Sequence, residues 1–229
     1  LSYHWQGMVT VPESFHGYEI LNENGEILEI QTIGEKTEAF VSLPPLCYST
    51  FKRGEQKNSE VSMDGDLVLE NEWIRYEFNK EGQMISAYDK EADKEVLEGT
   101  GNVLSLYEDR PNNWDAWDID FFYRDALLET ASVSDGPSKS SGTVSKQIQF
   151  TFRIGSSTIF QKITLKPGSK RVDFETMVDW KEKHKMLRVP FPVSVRSEQA
   201  TFDIQYGYVK RNSHRNTSWD KAKFEVVGH

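Results

Sequence analysis

The strict alternation Gln147-Ile148-Gln149-Phe150-Thr151-Phe152-Arg153-Ile154 constrains this chain more than any other stretch. A period of two places Ile148, Phe150, Phe152 and Ile154 on one face, which defines a half-buried β-strand. Gly155-Ser156-Ser157 then supplies a turn. A second β-rich run covers residues 158–166, ending at Pro167-Gly168, and a third covers residues 171–180 with Val172, Phe174, Val178 and Trp180 directed inward. Three sequential strands with short connections predict an antiparallel meander. The same grammar in Ile74, Tyr76 and Phe78, followed by the turn Asn79-Lys80-Glu81-Gly82 and residues 83–88, predicts a hairpin. Further strands are expected over residues 7–11, 26–33, 39–43, 103–107, 187–195 and 201–209. No stretch sustains apolar residues at helical spacing over three turns, so helix is minor. The expected fold is all-β and antiparallel.

Six Trp, thirteen Phe and nine Tyr in 229 residues exclude a disordered segment. The formal charge of −9, with both signs interspersed, speaks against a nucleic-acid partner. No stretch approaches the roughly 18 apolar residues of a membrane span, and no basic-then-apolar leader opens the chain. The one cysteine, Cys47, follows Pro44-Pro45-Leu46 and reads as a buried strand start; it cannot form an intrachain disulfide. A reducing, cytoplasmic setting fits. The polar segment 52–65 marks a boundary between a small β unit, residues 1–55, and a larger one, residues 56–229. The Ser/Gly/Pro-rich segment 132–145 reads as a mobile loop inside the larger unit. Both ends read as cut: Leu1 enters almost directly into a strand, and the chain stops just after the strand-like Phe224-Glu225-Val226-Val227.

Two segments, residues 108–120 and 210–220, concentrate aromatic, carboxylate, amide and guanidinium side chains and read as loops off sheet ends. Sugar rings are bound by aromatic faces against their C–H side while such polar groups take the hydroxyls. Alternatively, Trp114 and Trp117 anchor the core and the Asp and Asn residues cap turns. A third reading makes two of Asp109, Asp115, Asp118 and Asp120 the paired carboxylates of a glycosidase. None of His4, His16, His184, His214 and His229 lies in a His-x-Asp, His-x-His or His-Glu-x-x-His arrangement, so spacing offers no zinc site.

The motifs Asn71-Glu72-Trp73-Ile74-Arg75-Tyr76-Glu77-Phe78, Tyr88-Asp89-Lys90-Glu91, Glu108-Asp109-Arg110-Pro111 with Trp114-Asp115-Ala116-Trp117-Asp118, and His214-Arg215-Asn216-Thr217-Ser218-Trp219-Asp220 resemble glycoside hydrolase family 38, the class II α-mannosidases, in their bacterial, vacuolar and cytosolic branch. The resemblance runs over most of residues 67–229, and residues 1–55 look like the small β-sandwich-like unit that precedes the large sheet, with Leu43-Pro44-Pro45-Leu46-Cys47-Tyr48 as its last strand. It implies a large antiparallel β super-sandwich of galactose-mutarotase-like type. It also implies a parent that hydrolyses terminal α-mannosides with retention, whose zinc and nucleophile come from an N-terminal barrel through motifs that this chain lacks. The region is then non-catalytic and holds no metal. Its partners are the parent's barrel and helical domain and a mannoside substrate. Separated from the parent, its uncovered faces would lead it to self-associate as a homo-oligomer. The resemblance carries Tyr107, Trp114, Asp115, Trp117, Asp118, Arg211 and His214 over as substrate-binding wall residues, with both loops expected at one end of the large sheet. The rival reading is a self-sufficient carbohydrate-binding module.

Overall fold

A computed structural model describes residues 2–33, 36–56, 65–115, 117, 119–142 and 144–222. It is all-β with antiparallel pairing throughout. The first part of the chain forms β1 (Trp5–Thr10), β2 (Tyr18–Leu21), β3 (Ile30–Ile33), β4 (Lys36–Leu43) and β5 (Lys52–Gln56). They are arranged as a β1-β4-β3 sheet and a β2-β5 pair around a small core of Val11, Ile20, Ala39 and Val41.

The second part supplies β6 (Val68–Glu70), β7 (Ile74–Phe78), β8 (Met84–Asp89) and β9 (Lys94–Glu95), then β10 (Ser105–Glu108) and β11 (Leu127–Thr130). The meander follows as β12 (Ser132–Ser141), β13 (Lys146–Ile154), β14 (Ser157–Leu165) and β15 (Val172–Asp179). The last elements are β16 (Lys185–Arg188), β17 (Gln199–Ile204), β18 (Gly207–Asn212) and the short helix α1 (Ser218–Ala222). Sheets β6-β7-β8-β9 and β12-β13-β14-β15 feed one continuous core. Leu69, Tyr76, Phe78 and Met84 come from the first sheet; Ile148, Phe150, Phe152, Ile159 and Ile163 come from the second. This sandwich is the predicted meander and hairpin packed face to face.

Two buried polar arrangements hold the layers in register. Asn102 donates to the carbonyl of Gly82 at 2.8 Å and to Gln161 Oε1 at 2.7 Å, tying the β7–β8 turn to β14. Gln31 of β3, only 1% exposed, accepts from the N–H groups of Val144 and Ser145 at 3.1 and 2.7 Å. Gly142 is required there, since a Cβ would lie 2.5 Å from the Gln31 amide. The small core and the large sandwich are therefore joined through the turn between β12 and β13.

Several expectations are corrected. The polar segment 132–145 is no mobile loop: Ser132–Ser141 is strand β12, paired with β13 through backbone groups. As the edge of its sheet it buries little, and its register shifts around Gly136-Pro137, where a proline is tolerated. Lys52–Gln56 is likewise a strand, paired with β2; residues 57–64 lie outside the described residues. Cys47 is exposed and follows a turn, its Sγ donating to the Pro44 carbonyl at 3.0 Å, because β4 ends at Leu43 before two prolines that cannot continue a ladder. Residues 201–209 are two strands of a hairpin, turning at Gln205-Tyr206 with Tyr206 at φ 63°. Val178 lies opposite the core residue Ile159 but is over a third exposed, and Trp180, just past the end of β15, is equally exposed rather than directed inward. The strand-like stretch 224–227 falls outside the described residues.

Two carboxylates predict how stability responds to acid. The hydrogen bond from Lys185 (2.5 Å) is the largest influence on Glu182, and the Ser156 N–H at 2.5 Å on the β13–β14 turn adds to it, so its pKa lies below the ordinary value. Burial pushes Glu95 up, but the Ser86 hydroxyl and the N–H groups of Leu97, Ala87 and Val96 outweigh it, leaving a net lowering. Since the folded values are depressed, this stabilisation is complete above the unfolded value of 4.5 and lost as pH falls through the folded values. The urea midpoint is expected to drop between about pH 5 and pH 3, and less steeply in Glu182→Gln. An unchanged slope in that variant would assign the acid sensitivity elsewhere.

Candidate functional site

Strand β10 delivers the first recognition segment. Leu106 points into the core, so Tyr107 points to the opposite face, where its ring meets Tyr123 edge-on at 5.5 Å. The guanidinium of Arg188 sits 5.3 Å from the centre of the Tyr123 ring. Beyond Glu108 the chain crosses to β16 through the Asp109 N–H on the His184 carbonyl at 2.8 Å. It then forms a turn closed by Trp117 N–H to Trp114 O at 2.7 Å, while Asp120 accepts from the Asn112 N–H at 2.7 Å.

Trp114 takes the left-handed conformation, φ 63°, which is uncommon for a bulky residue. The turn lifts both indoles into solvent: Trp114 is 73% exposed and Trp117 90%. That removes the reading in which they anchor the core. Asp115 is also exposed, and Asp118 lies outside the described residues. Phe121, Leu127 and Leu128 continue the exposed apolar surface on the same stretch of chain.

The second segment is a loop only over residues 213–217: its start, with Arg211, belongs to strand β18 and its end to α1. Arg211 pairs with Ala200, its guanidinium 5.2 Å from the centre of the Phe202 ring. After it, Ser213 is buried and donates to the Ser197 carbonyl, which holds His214 beside the chain leading into β17. Thr217 and Asp220 form a capping pair at the start of α1: the Asp220 N–H donates to Thr217 Oγ1 at 3.1 Å, and that hydroxyl donates to the Asp220 carboxylate at 2.6 Å. The same carboxylate lies 3.5 Å from His214 Nδ1. The Thr217-x-x-Asp220 spacing was a legible sign of this helix start.

His214 and Asn216 border a cleft of about 670 Å³ with Glu98, Arg196 and Glu198. Two carboxylates, a guanidinium, an imidazole and an amide can both donate to and accept from a ligand's hydroxyls. Sequence reasoning passed over Glu98, Arg196 and Glu198, which lie in segments without periodicity. Among the described residues, no group of three or more His, Cys, Asp or Glu is placed to hold a metal ion.

The two segments start from different parts of the sheet. In the β10–β16 pairing, Glu108 faces Lys185 and Ser105 faces Arg188, so residues 109–120 leave from the Lys185 end. The chain then runs on past Arg188, with Pro190 against Asn102, Val193 against Leu97 and Ser194 against Val96, before reaching the His214 cleft. Ten residues of largely extended chain separate His184 from Ser194, on the order of 25–30 Å. Residues 109–120 therefore leave this ladder beside His184, and the His214 cleft lies beside Ser194.

The structure is thus an antiparallel sandwich that carries exposed indoles and polar clefts on its surface. The chain belongs to the family described as "Glycosyl hydrolases family 38 C-terminal domain", whose model matches residues 69–229. It is 37% identical over 175 residues to Alpha-mannosidase G of Dictyostelium discoideum, covering 72% of this chain and 16% of that protein. Human Alpha-mannosidase 2C1 is 36% identical over 173 residues, with the same coverage of 72% and 16%. Alpha-mannosidase of Saccharomyces cerevisiae is 31% identical over 196 residues, covering 77% of this chain and 18% of the yeast protein. The chain thus spans less than a fifth of the length of these relatives. Among the described residues, no helix is long and apolar enough to cross a membrane.

Proposed function

We propose that this chain is the non-catalytic C-terminal β region of a cytoplasmic α-mannosidase, in which residues 1–55 form a small β unit and residues 56–229 the super-sandwich. Its partners are the catalytic barrel and helical domain of that enzyme and, at the pocket edge, a terminal α-mannoside. The exposed turn bearing Trp114 and Trp117 carries this reading. A soluble domain seldom leaves two neighbouring indoles in water on a strained turn unless another surface or a ligand covers them. Tyr107 and Asp115 stand beside that turn as further wall groups, and the parent's zinc belongs to the barrel.

The alternative is a module that binds sugar without a barrel, and the His214 cleft, walled by this chain's own residues, favours it. Catalytic assays separate an inactive region from an enzyme. The purified chain is expected to hydrolyse no aryl α-mannoside above background, with or without added zinc, and to hold well under one equivalent of zinc by elemental analysis. Turnover that rises with zinc and is lost to a chelator would overturn the proposal. Calorimetric binding of α-mannobiose that is abolished by His214→Ala would favour the module.

A further inference from the structure

We propose that the seam between the β1-β4-β3 sheet and the sandwich holds a buried water molecule, bound by Gln31, Glu38 and Ser140. Three side-chain atoms there are closed off from bulk solvent and have no partner among the described residues: Gln31 Nε2, Glu38 Oε2 and Ser140 Oγ. A buried polar atom left unpaired is costly, so three in one place point to a bound molecule that pairs them.

The register brings the three together. Gln31 and Glu38 stand directly opposite each other on β3 and β4, which sets their Cβ atoms about 5 Å apart on one face. That face is turned away from the small core, since the neighbouring pair Ile30 and Ala39 points into it. Gln31 reaches the β12–β13 turn, where a Cβ on Gly142 would strike its amide. Ser140 lies two residues before Gly142 and so projects to the same side. Its register partner Gln147, with Thr164 next on β14, continues this row across the outer face of the sandwich, opposite to the face that carries Ile148. Ser140, Gln147 and Thr164 point away from the sandwich core, yet they are only 5%, 5% and 7% exposed, as a covered seam requires.

The chemistry of the three atoms selects the ligand. The Gln31 amide cannot be turned round: its Oε1 accepts from the N–H groups of Val144 and Ser145, so Nε2 must meet the seam as a donor. A metal ion would be opposed by that donor, and an anion by the Glu38 carboxylate. The bound species must accept from Nε2 and donate to the carboxylate, while the Ser140 hydroxyl can do either. Water satisfies all three at once, and a site closed to solvent has no entry for a larger hydroxyl compound. The seam belongs to this chain alone, and the inference does not depend on the α-mannosidase reading.

A high-resolution crystal structure of the chain should show a solvent peak within about 3.2 Å of both Gln31 Nε2 and a Glu38 carboxylate oxygen. In solution, NOESY and ROESY cross-peaks between water and the Gln31 side-chain amide protons should carry the sign of a long-lived contact. Glu38→Met, which removes the acceptor, should weaken those cross-peaks about two-fold or more, while the Ser145 N–H resonance reports that the joint itself is kept. The proposal is overturned if Gln31 Nε2 bonds Glu38 or Ser140 directly, or if the peak has the short oxygen contacts of a metal ion, about 2.0–2.6 Å. It is equally overturned if the water cross-peaks are missing from the unchanged protein or survive Glu38→Met undiminished. The crystal and wild-type spectra decide the matter even where the variant fails to fold.

Discussion

Phe152→Ala is expected to destabilise the chain by about 3–5 kcal/mol, since a buried aromatic is removed from the centre of the sandwich and its neighbours relax only partly into the space. The residue is 1% exposed, its ring lies 5.6 Å from that of Phe150 in a stacked arrangement, and it reaches across to the β7–β8 turn at Gly82. That last contact makes the prediction more specific. Gly82 has φ +74°, and a Cβ there would fall 2.5 Å from Phe152 Cζ. Gly82→Ala therefore combines a backbone cost of about 1–2 kcal/mol with displacement of the ring. In the Phe152→Ala background the clash disappears and only the backbone cost remains. The double variant should lose less stability than the sum of the two singles, measured as urea midpoints with a constant m-value. Strict additivity would mean that the turn and the strand do not meet as described.

The same core shows why much of the fold was legible and where legibility stopped. Ile148, Phe150, Phe152 and Ile154 alternate because β13 is half buried, so period alone reveals it. Strand β12 lies beside it with the same pairing but is hidden from such reading, because an edge strand with little to bury can be almost entirely polar, with Val133 its one apolar side chain besides Pro137. The hairpin of β17 and β18 was read as a single run because its turn, Gln205-Tyr206, carries neither Gly nor Asn at the left-handed position; that conformation falls on Tyr206, one residue before Gly207. Val178 was assigned inward and does face the core residue Ile159, yet a face is not a depth, and the end of β15 that carries it is only partly covered.

The candidate site was legible in residue type and illegible in arrangement. Aromatic and carboxylate groups concentrate in residues 108–120, but nothing in the order Trp114-Asp115-Ala116-Trp117 distinguishes indoles packed under a sheet from indoles lifted off it. The deciding feature is the left-handed backbone at Trp114, a property of the turn. The relation between Trp117 and His214 was likewise beyond sequence, because it depends on the β10–β16 register and on the direction in which the chain continues past Arg188.

The proposed function carries a kinetic prediction for a full-length α-mannosidase containing this region. If the Trp114–Trp117 turn walls the pocket, Trp117→Ala should lower kcat/KM for an aryl α-mannoside by about ten-fold or more, roughly 1.4 kcal/mol, because wall contacts count most when they hold the substrate as the transition state forms. Folding and zinc content should be unaffected: an indole that is 90% exposed contributes no core packing, and no metal ligand is touched. His214→Ala acts at the cleft beside Ser194, while residues 109–120 leave the β10–β16 ladder beside His184, so its effect, whatever its size, should combine with that of Trp117→Ala additively to within about 0.5 kcal/mol. A strong coupling between the two would show that both segments reach one pocket, contrary to the register described. A Trp117→Ala enzyme with normal kinetics and a lowered Tm would instead make the turn a docking surface that supports the barrel and never meets the sugar.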